Sequence, residues 1–100
     1  HSGLLDACIL AILSRGDDYG YRLTQEVKQV MTISESTLYP VLRRLQKNGW
    51  LTTYDQPFQG RNRRYYRITA EGRDQHLLHL GEWKDYRNRI EVIFEGDKTE

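Results

Sequence analysis

The sequence contains a single cysteine, and this scarcity excludes a disulfide framework. One thiol has no partner within the chain, so an intrachain disulfide is impossible. Cys8 lies among the apolar residues Leu4, Leu5, Ile9 and Ile12, where we predict it to be a small buried hydrophobic residue. The reducing cytoplasm is therefore the expected location of the protein.

Long apolar runs and the local patterns of common catalytic sites are also missing. No run approaches the roughly 20 residues of a membrane-spanning helix, and there is no signal-peptide pattern. The sequence has no glycine-rich phosphate loop, nucleophile elbow or paired-carboxylate pattern, and Asp17-Asp18 is typical of a turn. His1, His76 and His79 lack a third ligand, so we predict surface histidines instead of a metal site. We expect no enzyme activity, metal ion or cofactor.

Excess positive charge is absent from the chain as a whole but is present in one third of it. The 100 residues carry 15 Lys and Arg against 14 Asp and Glu, a net charge of +1. Residues 34–67 hold seven basic and two acidic side chains, a net charge of +5, whereas residues 1–33 and 68–100 have net charges of −1 and −3. Such a focused positive segment is typical of a nucleic-acid-binding surface. The length supports one domain with a modest core.

Apolar periodicity predicts three helices in the first half of the chain. Segment 3–13 is nearly all apolar and is expected to be a buried helix, and segment 19–30 has apolar residues at helical spacing. A third helix is expected to begin after the N-cap Ser34 and to end at the Asn48-Gly49 pair.

The third predicted helix has an apolar side and a polar side. Its inward stripe consists of Leu38, Val41, Leu42 and Leu45, and its outward face of Ser36, Pro40, Arg43 and Lys47. A proline in a helix interior costs about 3 kcal/mol, a cost that mostly disappears if the helix begins nearer Ser36. Arg44 lies toward the side of the helix and is expected to pair with an acid.

This outward face is a candidate for contact with DNA. Arg43 and Lys47 have the length and charge to reach guanine edges or phosphates. Ser36, Thr37 and Tyr39 have hydroxyls that can donate to phosphate oxygens or bases. The alternative is a solvated charged face without a partner.

A basic hairpin is predicted next in the sequence. Segments 51–56 and 63–68 are rich in strand-forming residues and are separated by a flexible tip, 57–62. Arg61, Asn62 and Arg63 are suited to contact the DNA backbone or the minor groove, whereas Arg64 would point to the other face. The alternative is a sheet edge that charges protect against aggregation. Tyr65 and Tyr66 are expected to serve in packing, as is Trp50.

The order of these elements indicates a winged helix-turn-helix fold. A polar-faced helix followed by a basic hairpin is the arrangement in which the helix enters the major groove and the wing touches the phosphate backbone. After the hairpin, the N-cap Thr69 and Glu71 predict a last helix over 70–94. Its apolar residues recur every three or four positions: Leu77, Leu80, Trp83, Tyr86, Ile90, Ile93 and Phe94.

Three stretches of the sequence resemble the PadR family of bacterial transcriptional regulators. They read DDYGYRLTQEV, ISESTLYPVLRRLQKNGWL and GRNRRYYRITAEG, and the resemblance runs from Leu4 to Gly72. It implies a mainly α, winged helix-turn-helix, dimeric DNA-binding repressor of the small subfamily, in which a single C-terminal helix is the dimerisation element. Relatives of this kind commonly sense phenolic compounds or drugs.

Trp83 has two possible roles if the last helix forms a dimer. Aromatic residues on an interface helix are most often part of the interface core. Alternatively, Trp83 and its symmetry mate flank a cavity between the subunits and stack on a flat aromatic effector, with Tyr86 and Ile90 lining the same site. The resemblance to drug-sensing members favours the second role.

These observations lead to one expected function and two alternatives. We expect residues 1–69 to form a winged-helix DNA-binding domain and residues 70–100 a dimerisation helix and tail. The expected function is that of a sequence-specific transcriptional regulator, a homodimeric repressor that binds a double-stranded operator and is relieved by a small aromatic effector. The alternatives are a winged-helix protein-interaction module and a protein that mainly binds small molecules.

Overall fold

The computed structural model describes residues 3–96. Four helices and three strands follow one another along the chain: α1 (Leu4–Leu13), β1 (Asp18–Tyr19), α2 (Gly20–Val27), α3 (Glu35–Lys47), β2 (Leu51–Phe58), β3 (Arg61–Ile68) and α4 (Ala70–Glu95). The strands form one antiparallel sheet in the order β1-β3-β2. The predicted mainly α, winged helix-turn-helix fold with a long C-terminal helix is confirmed. No helix within the described residues has the length and apolar character needed to cross a membrane.

The hydrophobic core lies between the first three helices and the base of the sheet. Its buried residues are Ile9, Leu10, Leu13, Leu23, Val27, Ile33, Leu38, Leu42, Leu45, Leu51, Tyr66 and Ile68. The predicted inward stripe of α3 is confirmed, because its three leucines are fully buried and Val41 packs against the same cluster. Burial of α3 from one side holds its polar side outward.

The second predicted helix is too long at both ends. Tyr19 belongs to β1 and pairs with Tyr65 of β3, which adds a third strand to the sheet. Asp18, predicted in a turn, is the other residue of this strand. At the far end, Gln29 and Val30 donate backbone hydrogen bonds to residues three positions earlier, so the last turn tightens and the α-helix ends. Val30 is 71% exposed, and no burial favours continuing the helix.

Helix α3 keeps its proline in the helix interior. The helix begins at Glu35, so the backbone of Pro40 lacks the N–H that would donate to the carbonyl of Ser36. A start nearer Ser36 would have removed most of the cost of Pro40, and the start at Glu35 keeps it. Ser34 occupies the predicted N-cap position, and its hydroxyl lies 2.8 Å from the hydroxyl of Ser36. Gly49, with a φ of 83°, ends the helix as predicted.

The hairpin is longer and tighter than predicted. The strands run to Phe58 and Arg61, which leaves a two-residue turn at Gln59-Gly60 in place of a six-residue tip. Both turn residues have a positive φ, 51° and 77°, as the common tight hairpin turn requires. Pro57 is tolerated in β2 because β2 is an edge strand.

Helix α4 begins at the predicted cap and extends past the rest of the molecule. Thr69 accepts a hydrogen bond from the backbone N–H of Gly72 at 3.0 Å and donates to the carbonyl of Gly49 at 2.7 Å. The 26 residues of α4 give it a length of about 39 Å, within overall dimensions of 64 × 27 × 20 Å. Its N-terminal part packs against α1, whereas Ile93 and Phe94 near its end are 79% and 83% exposed.

Candidate nucleic-acid interface

The outward face of α3 presents most of the side chains that the sequence predicted for DNA contact. Ser36, Thr37, Arg43 and Lys47 are all exposed. Tyr39 is half-buried, and its hydroxyl donates to a carboxylate oxygen of Glu35 at 3.1 Å. The face therefore combines two hydroxyls near the helix start with two cations further along.

Tyr39 is also a packing residue between α3 and α2. A Cβ atom placed on Gly20 would lie 2.5 Å from the Tyr39 hydroxyl oxygen and 2.7 Å from its ring. The absence of a side chain at Gly20 thus allows the ring to lie on the start of α2. Burial and the hydrogen bond to Glu35 raise the pKa of the Tyr39 hydroxyl, which stays a neutral donor at ordinary pH.

A groove with a volume of about 490 Å³ separates α3 from the hairpin. Arg43 borders it from α3, Arg64 and Asn62 border it from β3, and Tyr21 borders it from the start of α2. Tyr21 is 55% exposed, and neither it nor Gln46, which also borders the groove, was identified from the sequence. The sequence gives little indication of a role for either residue, because tyrosine and glutamine often occupy exposed helix positions that contact no partner.

The buried Tyr66 marks the place where the charges of α3 and the hairpin meet. Burial raises the pKa of its hydroxyl, and the nearby charges of Arg64 and Arg43 partly offset that rise. The charges of Arg43 of α3 and Arg64 of β3 therefore both act on the Tyr66 hydroxyl, which borders the groove. A bound phosphate placed there would be attracted by both.

The two faces of the hairpin carry different arginines. We call the face of β3 with Asn62, Arg64, Tyr66 and Ile68 the front face, since Tyr66 and Ile68 reach the core. The back face carries Arg61, Arg63, Tyr65 and Arg67. Within β3, which is wholly described, Arg64 is the one arginine on the front face. From the sequence we favoured Arg63 over Arg64 for DNA contact, because the alternation of side chains along a strand does not show which face is turned toward α3.

Arg63 is held on the back face by aromatic rings. Its guanidinium carbon lies 3.7 Å from the ring centroid of Phe58 and 3.9 Å from that of Tyr19. Nearby, Arg67 bonds Asp17 at 3.0 Å and lies over the ring of Tyr54. From Arg63 to Arg67 the back face is thus a surface of internal contacts, although Arg63 also borders the groove.

Arg44 and Arg64 each pair with a carboxylate. Arg44 contacts both carboxylate oxygens of Asp6 at 2.5 and 2.6 Å, which confirms the expected pairing with an acid and ties α3 to α1. Arg64 lies 3.3 Å from a carboxylate oxygen of Asp55, with 61% of its side chain exposed. Exposed pairs of this kind are weak, so the Arg64 cation can be shared with another anion.

A second site lies between α1 and α4, away from the groove. A cavity of about 310 Å³ is lined by Leu4 and Ala7 of α1 and by His79, Trp83 and Tyr86 of α4. The ring centroids of Trp83 and Tyr86 are 6.2 Å apart, and Trp83 is 48% exposed. Ile90, predicted for the same site, is not among the residues lining this cavity. Glu82 also borders it.

The histidines of α4 are more enclosed than surface histidines. His76 and His79 are both half-buried, and His79 Nε2 lies 3.1 Å from Gln75 Nε2. Within residues 3–96 no cluster of three His, Cys, Asp or Glu side chains is arranged to hold a metal ion. His1 lies outside the described residues. Cys8 is half-buried against the core, and burial raises the pKa of its thiol.

Comparison with known proteins identifies relatives over most of the chain. The model of the transcriptional regulator PadR-like family matches residues 9–77. The structure of smu.1704 from Streptococcus mutans UA159 is 45% identical, with a TM-score of 0.89 over 93% of this chain and 88% of that chain. A PadR family transcription regulator from Clostridium difficile R20291 is 29% identical, with a TM-score of 0.81 over 94% of this chain and 100% of that chain.

One similar structure contains nucleic acid. Bacillus subtilis PadR in complex with operator DNA is 26% identical to this chain, with a TM-score of 0.72. The similarity covers 77% of this chain and 46% of that chain.

Proposed function

Because the chain belongs to the PadR-like family of transcriptional regulators, we propose that it binds a specific DNA operator through α3 and the hairpin wing and represses transcription as a homodimer. The observation that carries this proposal is the meeting of Arg43 and Arg64 across one groove, in the segment with a net charge of +5. The operator complex of the similar Bacillus subtilis PadR supports DNA as the partner.

In this proposal α3 lies in the major groove and the wing follows the phosphate backbone. Arg43 and Lys47 contact base edges or phosphates, and the hydroxyls of Ser36 and Thr37 contact the backbone near the start of α3. Tyr39 supports this end of the helix from within. Arg61 and Asn62 at the hairpin tip, with Arg64 beside them, supply the contacts of the wing.

The exposed apolar end of α4 supports dimerisation. Ile93 and Phe94 expose most of their surface in the single chain, and Ile90, one turn earlier, continues the same stripe. A second copy of the chain would cover these residues, with residues 1–69 as the DNA-binding unit and 70–100 as the dimerisation unit. A two-fold dimer places its two α3 helices in successive major grooves, about 34 Å apart, on a pseudo-palindromic operator.

The cavity between α1 and α4 supports relief by a small aromatic effector. Trp83 and Tyr86 present two rings there, and a dimer partner would narrow the opening. A planar ligand bound against these rings lowers operator affinity only if it binds the DNA-free arrangement more tightly than the DNA-bound one. A cytoplasmic regulator of this kind would answer to compounds that enter the cell.

The experiment that tests the proposal is fluorescence anisotropy with duplex DNA from upstream of the protein's own gene. The titration is made at two salt concentrations and beside a scrambled duplex of equal length. We expect tighter binding to the native duplex and a strong loss of affinity with salt, because cations release counterions from phosphates. Salt-independent or absent binding to every duplex would favour a protein-interaction module instead.

A further inference from the structure

The back face of the wing carries a continuous stack of aromatic and arginine side chains. The guanidinium of Arg63 is held between the rings of Phe58 and Tyr19, with its central carbon at 3.7 and 3.9 Å from their centroids. The ring of Tyr19 meets Tyr65 edge-on at 5.5 Å, and Tyr65 stacks on Tyr54 at 5.5 Å with an interplanar angle of 12°. The stack joins the tip of the hairpin to β1 across the sheet.

This stack stabilises a part of the wing that is otherwise weakly held. Phe58 and Arg61 are the last paired residues before the turn, and both are exposed. Outward hairpin tips gain little from burial and tend to fray. A cation between two aromatic faces holds both rings at once, and here one ring belongs to the tip and the other to β1. Arg63 is also less exposed than Arg61 and Arg64.

A contact between Arg63 and DNA would disrupt the stack. With both faces of its guanidinium against rings, Arg63 can offer an anion only its in-plane N–H groups, and turning these toward a phosphate beside α3 would pull the guanidinium off the rings and loosen the tip from β1. Arg64, one residue on, has the opposite placement. Both arginines border the groove, but Arg64 lies on the front face and makes an exposed pair with Asp55 that a phosphate can replace.

We propose that these adjacent arginines have separate tasks: Arg64 binds a phosphate of the duplex, and Arg63 is a positioning residue that holds the hairpin tip against β1. The inference rests on the proposed DNA-binding function and specifies how the wing performs it. A wing that is already ordered presents Arg64 at a set distance from α3, so less conformational freedom is lost on binding.

Matched glutamine substitutions on the same strand separate the two tasks. Operator affinity is measured by anisotropy over a series of salt concentrations for the unchanged protein, Arg64→Gln and Arg63→Gln. We expect Arg64→Gln to reduce the slope of log affinity against log salt by about 0.9 for each wing on the duplex. We expect Arg63→Gln to leave the slope unchanged and to weaken binding about threefold to tenfold at every salt concentration, because exposed cation–π contacts are lost.

Two further variants distinguish positioning from a general loss of stability. Arg63→Met removes the charge but keeps a flexible thioether that packs well against aromatic rings, so it should recover much of the lost affinity. Arg63→Lys keeps the charge but lacks the planar group that stacks, so it should recover less. Amide hydrogen exchange of the DNA-free protein should be faster around Gln59-Gly60 in Arg63→Gln and unchanged in Arg64→Gln.

The opposite pattern would overturn the proposal. If Arg63→Gln lowers the salt slope and Arg63→Lys restores it, Arg63 is itself a phosphate ligand. If Arg64→Gln leaves the slope unchanged, Arg64 does not bind phosphate. Failure of the unchanged protein to bind any duplex would refute the proposed function separately. In that case, unchanged exchange at the tip of Arg63→Gln would still overturn the positioning role.

Discussion

Side chains on the outward face of α3 are exposed because the opposite face of the helix is fully buried. Arg43 and Lys47 lie four residues apart on this exposed side, and Arg43 borders the groove that Arg64 borders from the wing. Arg44, between them in sequence, is instead engaged with Asp6 of α1. The two neighbouring arginines therefore differ: Arg44 is bonded within the protein, whereas Arg43 is exposed and can contact a ligand.

We predict that Arg43→Ala or Lys47→Ala weakens operator binding. A base contact of this kind is worth about 1–3 kcal/mol, and a phosphate contact also lowers the salt slope. The measurement is the anisotropy titration described above. Lys84→Ala, which removes an exposed lysine from α4, is the matched control and should bind as the unchanged protein does. Equal affinity for all three variants and the parent would contradict the placement of α3 on DNA.

We predict that planar aromatic compounds quench the fluorescence of Trp83. Trp83 and Tyr86 line the same cavity, and a flat ligand stacked on the indole would shorten the lifetime of its excited state. Trp83→Phe should abolish the response while circular dichroism shows an intact fold. Trp50, the other tryptophan, is packed against the core and serves as the internal reference. Quenching that persists in Trp83→Phe would place the ligand elsewhere.

The start of α4 is an element whose position depends on one glycine. A Cβ atom on Gly72 would clash with the backbone carbonyl oxygen of Trp50 and lie 2.7 Å from the side chain of Ile68. The same oxygen accepts a hydrogen bond from the backbone N–H of Thr69 at 3.0 Å. The cap of α4, the end of β3 and the residue before β2 are thus packed together without space for a side chain at position 72.

We predict opposite effects of two glycine-to-alanine substitutions in α4. Gly72→Ala should lower the free energy of unfolding by about 1–3 kcal/mol, because the backbone of Trp50 has to shift. Gly81→Ala, whose Cβ would meet nothing within 4 Å, should raise it by about 0.5–1 kcal/mol through helix propensity. Urea unfolding at one fixed protein concentration measures both. A stable Gly72→Ala protein would show that the close approach is relaxed in solution.

At the scale of the whole molecule, the chain is a compact winged helix with a helix that extends beyond it. The longest dimension, 64 Å, is more than twice either of the others. The apolar side chains at the far end of α4 have no core of their own within residues 3–96. Exposed apolar surface of this kind is characteristic of protein interfaces.

We predict that Phe94→Asp converts the proposed dimer to a monomer. Phe94 lies on the apolar stripe with Ile90, whereas Val92, also exposed, is about 200° away around the helix. Val92→Asp is therefore the matched control and should remain dimeric. Sedimentation velocity gives the oligomeric state, and operator affinity should fall together with dimerisation because one half-site is lost. A dimeric Phe94→Asp protein would place the interface on another surface.

The sequence by itself determined the order of the four helices and the hairpin, and the location of the charge. Caps such as Thr69 and Gly49 and the leucine stripe of α3 are local properties, and each led to a correct prediction of an element or its face. The net charge of 34–67 is equally local, and the nucleic-acid-binding surface that it indicates stays a prediction. The specific DNA contacts and the effector site stay predictions, because they depend on partners outside the chain.

Tertiary structure alone decided which residues from distant parts of the chain meet. Strand β1 exists because Asp18 pairs with Tyr66, 48 positions later. No local sequence pattern predicts a strand of two residues. Pro57 is acceptable within a strand only because β2 lies at the edge of the sheet. The division of Arg63 and Arg64 between the two faces likewise depends on which face the core covers. Long-range packing sets these features, and a local sequence pattern does not contain the information that specifies such packing.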